Sequence, residues 1–260
     1  MRIFVFSLLV LLANVIDGRF FQCDVNRSCG CGPKNVEINA RVISGEEAVP
    51  YSWPMIVSIR YDLFHDGNFL RHACGGTVLT DSYILTTASC LEEFISRIES
   101  ANVTIAAGMH RRSQPVQIVR HVDQIIVHPN WTSAQSNDYD IALLHLSDPL
   151  NIGMYLFITR TCLPAQLHPS EDPDEYHLTG ATLAVVGWGR STLFGYDSDP
   201  LRQTVITSTN VNNAKCANHT MNSRRQFCTA SHSDSTGQRL LTFVLFLYSN
   251  WIAVSRSVLR

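Results

Sequence analysis

Apolar residues in this chain come in short runs. Met55 to Ile59, Tyr83 to Thr86, Val103 to Ala106, Val116 to Val119, Ile125 to Val127, Ile141 to Leu146, Leu183 to Val186 and Thr204 to Thr207 each have the length of a strand. They are separated by stretches holding Gly, Pro, Asn and Asp, which break strands and make turns. Few long stretches repeat their apolar residues at helical spacing. The one short helix predicted spans Cys90 to Arg97. Short strands broken regularly by turn residues predict an all-β sandwich or barrel.

Both ends depart from this pattern. Arg2, the apolar run Ile3 to Leu12 and the small or polar residues up to Gly18 read as a signal peptide over residues 1–18. The protein is therefore expected to be secreted and extracellular. At the other end, Leu240 to Tyr248 form a run of nine apolar or near-apolar residues inside a divergent tail, 239–260. The run shows neither alternation nor a turn signal, so the tail is expected to pack poorly. The stretch Leu240 to Val254 is short and interrupted by Ser249 and Asn250, so it is not expected to span a membrane.

Composition narrows the function. Apolar residues make up 45% of the 260 and charged residues 16%, which fits a folded chain. The formal net charge is −2, so no basic face for nucleic acid is implied.

Export decides how the eight cysteines read: in an oxidising compartment they pair. No CxxC occurs and the spacings match no zinc template, so neither a metal site nor a cofactor is expected. Four Asn-x-Ser/Thr sequons, at Asn26, Asn102, Asn130 and Asn218, are candidate glycosylation sites and agree with export. Residues 19–41 hold Cys23, Cys29 and Cys31 among glycines. Too small to build a core, this segment reads as a cysteine-rich pro-segment held by disulfides.

Several blocks then carry a resemblance, in order: "RVISGEEAVPYSWPMIVSI" (Arg41 to Ile59), "HACGGTVLTDSYILTTASC" (His72 to Cys90), "VDQIIVHPNW" with "NDYDIALLHLSDPL", "CLP" at Cys162, "VVGWGR" (Val185 to Arg190) and "QFC" at Cys228. Together they resemble the trypsin-like serine protease family. The resemblance implies two six-stranded antiparallel barrels, with the protease domain over 42–238. The strands that would complete the second barrel are not recognisable in the sequence, so that barrel is expected to be incomplete.

That family's chemistry needs an imidazole to take the proton of a serine hydroxyl, a carboxylate to orient the imidazole, and backbone N–H groups facing the oxyanion. The resemblance places Asp140 at the triad acid. Where the family reads TAAHC this chain reads TTASC, which puts Ser89 at the imidazole's place. A serine has no pKa near neutral and cannot serve as general base. Its side chain is also expected to be too short to meet Asp140 as an imidazole would. The nucleophile motif GDSGGP does not occur in the 260 residues, and "CTASHSDSTGQ" follows Cys228 instead.

The resemblance further implies activation cleavage between Arg41 and Val42, with no aspartate before a nucleophile to receive the new amino terminus. It implies the disulfides Cys74–Cys90 and Cys216–Cys228, with Cys31 as partner of Cys162 and Cys23 and Cys29 closing a small loop. The first-barrel calcium site of some relatives is not expected, because no acidic residue lies between Ala107 and Val122.

These residues predict a secreted trypsin-like homologue without catalysis, acting on or with a protein partner or polypeptide. The alternative is a serine-type endopeptidase whose true C-terminus carries the missing motif.

Overall fold

The computed structural model of the chain describes residues 18–21, 28–39, 45–62, 71–95, 102–116, 118–132, 139–163, 180, 182–189, 196–209, 228–230, 244–248 and 251–255. Residues 1–17 of the expected leader, Arg41, Val42, Cys23, Cys216, Asn26 and Asn218 lie outside this set. For Asn102 and Cys228 the backbone alone is described.

Two strands of the N-terminal segment, β1 (Gly18–Phe21) and β2 (Val36–Asn39), pair antiparallel, and the two-residue β3 (Glu46–Glu47) follows. Next come β4 (Ile56–Asp62), β5 (Arg71–Val78), β6 (Tyr83–Thr86), helix α1 (Ala88–Ile95), β7 (Asn102–Ala107), β8 (Ile118–Val127) and β9 (Ala142–Leu146). The six strands from β4 to β9 close a barrel in the order β4-β5-β6-β9-β8-β7, every pair antiparallel.

Strand periodicity explains the barrel. Side chains alternate across a strand, and on β9 Ala142, Leu144 and Leu146 turn inward while Leu143 and His145 face outward. Val57, Ile59, Ile84, Val103, Ile105, Ile118 and Leu144 fill the interior. Gly76 belongs to it too: a Cβ there would stand 2.7 Å from the Ile84 side chain.

The run Met55 to Ile59 is apolar almost throughout because it is covered on both faces. Val57 and Ile59 enter the barrel, while Met55 and Ile56 join a second core with Ile38, Trp53, Ala106, Ala184, Val186, Trp188 and Val205. That core lies between the barrel and a second sheet made of β10 (Thr182–Gly187), β11 (Arg202–Thr209), β12 (Cys228–Ala230), β13 (Val244–Tyr248) and β14 (Trp251–Ser255). Its order is β12-β11-β10-β13-β14, with β3 also on β11.

Among the described residues the second sheet is open. In the tail the backbone forms the hairpin β13–β14, with Leu247 paired to Ala184 of β10. Ile118 and Val119 of one expected run and all of Ile125 to Val127 belong to a single strand, β8, whose register with β9 shifts between Val122 and Gln124. Strand β5 went unpredicted because Cys-Gly-Gly reads as a turn. The helix begins two residues before Cys90.

The disulfides also differ in part. Cys74–Cys90 forms as expected, tying β5 to α1 with Cα atoms 6.3 Å apart. The partner of Cys162 is Cys29, not Cys31, with Cα atoms 5.0 Å apart. Cys31 is disulfide-bonded too, so the expected Cys31–Cys162 and Cys23–Cys29 pairs do not stand. Spacing alone could not decide between two cysteines separated by a single glycine. The local backbone does: Gly30 takes a positive φ of 78° and donates its N–H to the Arg160 carbonyl at 2.8 Å, placing Cys29 beside Cys162.

Candidate functional site

Ser89 and Asp140, 51 residues apart in the chain, meet at the start of α1. The helix is fixed there by Ala88 and Leu91, both fully buried in the barrel, and by the disulfide at Cys90. Asp140 stands two residues before β9, in a tight turn. Tyr139 has a φ of 55°, in the left-handed region, and Ile141 N–H donates back to the Tyr139 carbonyl at 2.7 Å. The Tyr139 ring stacks on His128 at 4.6 Å, and His128 N–H donates to the Ile141 carbonyl at 3.1 Å. These contacts set the direction of the carboxylate.

Both oxygens of that carboxylate are engaged by one residue. The backbone N–H of Ser89 donates to Oδ1 at 2.7 Å, and the Ser89 hydroxyl donates to Oδ2 at 2.7 Å. The hydroxyl also lies 3.4 Å from Thr87 Oγ1. Ser89 is buried and Asp140 partly so. The expectation that the serine is too short to meet Asp140 is therefore wrong. The first turn of the helix reaches the carboxylate through its own backbone, so a short side chain suffices. Helix α1 has no acidic residue in its first turn, and Asp140 supplies the negative charge that its N-terminal N–H groups favour.

The Ser89 hydroxyl and the Asp140 carboxylate thus form a direct side-chain hydrogen bond with no imidazole between them. Four described histidines are engaged elsewhere: His72 with Ser58, His110 with Glu47, His128 with Tyr139 and His145 with Asp123. Of these, His128 lies nearest in its contacts, one residue from Asp140. The sequence reading assigned it no role, although it lies in the block VDQIIVHPNW. Among the described residues no three His, Cys, Asp or Glu side chains gather as a metal ion would need.

A second polar cluster sits at the seam between barrel and sheet. Ser58 Oγ and His72 Nδ1 share a hydrogen bond of 2.8 Å, and the His72 ring meets Trp188 edge-on at 5.6 Å. Burial, then the positive charge of Arg112, push the His72 pKa down to about 4, against a smaller opposing pull from Asp197. Trp188 donates its indole N–H to the His110 carbonyl at 3.0 Å. His110 Nε2 lies 2.9 Å from Glu47, whose carboxyl is held below its usual range, chiefly by this hydrogen bond. Arg111 also bonds Glu47, at 2.7 Å, and Asp199, at 3.6 Å.

Comparison with known proteins places the chain. The family described as Trypsin matches residues 42–238. The chain belongs to the trypsin family. It is 32% identical over 192 residues to Transmembrane protease serine 5 of Homo sapiens, covering 72% of this chain and 37% of that protein. It is 32% identical over 183 residues to Chymotrypsin-C of Mus musculus, covering 68% and 60%. Against Chymotrypsin-like elastase family member 1 of Homo sapiens it is 30% identical over 181 residues, covering 66% and 61%. This trypsin-family chain thus spans less than two thirds of the length of each of these relatives. The match starts at Val42, the residue expected to follow the activation cleavage, and takes in both Ser89 and Asp140.

Proposed function

We propose that this chain is a secreted trypsin-family homologue that does not hydrolyse peptides and acts by binding a protein or polypeptide. The observation that carries the proposal is the direct bond from the Ser89 hydroxyl to Asp140 at 2.7 Å. In this reading Ser89 stands at the place of the catalytic histidine, so the carboxylate that would orient an imidazole is occupied by a group that cannot accept a proton. Loss of the imidazole alone lowers turnover by roughly a factor of 10⁶ in a triad of this kind. The lack of a GDSGGP motif in the 260 residues points the same way.

Secretion rests on the leader-like residues 1–18 and on disulfides of the kind that persist outside the cytosol. Asn130, exposed in a turn, is the sequon best placed for a glycan. The test is labelling of the purified protein, before and after nicking at Arg41, with a fluorophosphonate that reacts with activated serines. The reading predicts no mass increase. Stoichiometric labelling lost in Asp140→Asn overturns it.

A second reading is a serine-type endopeptidase whose message continues past the Gln238 codon into the missing motif. Its motive is that the family match ends at residue 238. Sequencing of transcripts across that codon separates the two.

A further inference from the structure

The N-terminal segment is attached to the body by more than its disulfide. At one end, Cys29 is bonded to Cys162, and Arg160 donates to the Ser28 carbonyl at 3.1 Å and to the Ser28 hydroxyl at 3.0 Å. At the other end, Ile38 is 1% exposed and sits in the core shared by barrel and sheet.

Beside it the Glu46 carboxylate grips Asn39 with both oxygens. The Asn39 N–H donates to Oε1 at 2.8 Å and the Asn39 side-chain amide donates to Oε2 at 2.8 Å. Gln203, 2% exposed, seats this pair. Its amide donates to the Glu37 carbonyl and, at 3.0 Å, to Glu46 Oε1, and its own oxygen accepts the Trp53 indole N–H at 2.8 Å. Gly45 is fixed from the same strand: Arg202 donates to its carbonyl, and with φ at 71° a Cβ there would meet the Gln203 carbonyl oxygen at 2.7 Å. Asn39 and Gly45 flank residues 40–44, which include the expected cleavage junction.

We propose that Glu46, seated on Gln203, is a clasp that holds residues 36–39 on the body independently of the Cys29–Cys162 disulfide, so that scission between Asn39 and Gly45 leaves the N-terminal segment in place. Charge-assisted hydrogen bonds of this kind are stronger than neutral ones; the two from Asn39 are exposed, and the one from buried Gln203 to Glu46 is partly buried and holds the carboxylate in place. Val42 lies three residues before the anchored Gly45, so a new amino terminus there can move no further than about 11 Å from it while the clasp holds. The cut molecule is then a two-part complex with its seam unchanged. This inference rests on the proposed junction at Arg41 only for its natural occurrence.

The test uses the full chain with Cys29→Ser, Cys31→Ser and Cys162→Ser, so that neither disulfide of the described N-terminal segment remains, and a site-specific protease sequence replacing residues 40–44. Gel filtration after cutting is expected to keep the N-terminal fragment with the body. Asn39→Ala and Glu46→Gln in that background are each expected to release the fragment about tenfold faster, the effect of losing one hydrogen bond to a charged group. Prompt release from the cut protein with the clasp intact overturns the proposal, as does retention unchanged in both clasp variants. Near-ultraviolet circular dichroism before cutting checks that each variant is folded. Exposure of the natural sequence to trypsin, with sequencing of the new terminus, tests the Arg41 junction separately: failure to cut there removes the junction and leaves the clasp standing.

Discussion

Ser89→Ala isolates the bond on which the functional reading depends. The substitution removes one hydroxyl donor from Asp140 and leaves the 2.7 Å bond from the Ser89 backbone N–H in place. A hydrogen bond to a charged group contributes roughly 1.5–3 kcal/mol net. Asp140 is only partly buried, so water replaces some of the lost contact, and alanine is the better helix former by up to about 0.5 kcal/mol. The net expectation is a loss of about 1–2 kcal/mol. Urea unfolding with disulfides intact, followed by near-ultraviolet circular dichroism, measures it. A double-mutant cycle with Asp140→Ala removes effects outside the pair. The expected coupling is about 1 kcal/mol or more, and a coupling below about 0.3 kcal/mol refutes the bond as a contributor to the fold.

Three further outcomes follow from the packing. His72 keeps a pKa of about 4 in the fold against 6.5 when exposed, so below pH 6.5 the unfolded chain binds the additional proton. Stability from this group is then present in full above pH 6.5 and falls as pH drops to about 4, by at most about 3 kcal/mol; His72→Gln flattens that slope in a pH series of unfolding curves, and an unchanged slope contradicts it. Gln203→Ala leaves the Trp53 indole N–H and the Glu37 carbonyl without their partner and costs about 2–4 kcal/mol in chemical unfolding, whereas a cost under about 0.5 kcal/mol contradicts the hydrogen bonds described. Leu144→Ala opens a void at a fully buried barrel position and lowers stability by about 2–5 kcal/mol on the same measurement.

Much of the barrel was legible in the sequence because its strands alternate or are bounded by turn residues. Tyr83–Thr86 is recovered to the residue, and the strands at β4, β7 and β9 to within a few residues at each end. Strand β5 was hidden because Cys74 and two glycines carry no apolar signal, although Gly76 is needed where Ile84 crowds the interior. The tail hairpin was hidden for the opposite reason: a run apolar or near-apolar at every position has no period to read. Asp140 and Ser89 were picked out by motif alone. That they touch was not legible, because reach depends on where the first turn of α1 ends up, and that is set by Leu91, Cys90 and the turn at Tyr139. The choice of Cys29 over Cys31 likewise depended on the positive φ of Gly30 rather than on spacing.

The most direct test of the account is hydrolysis of a fluorogenic peptide library by the purified chain nicked at Arg41. On the proposed reading, in which Ser89 stands at the place of the catalytic histidine, release is no faster than from buffer. Release above background that disappears in Asp140→Asn would contradict it.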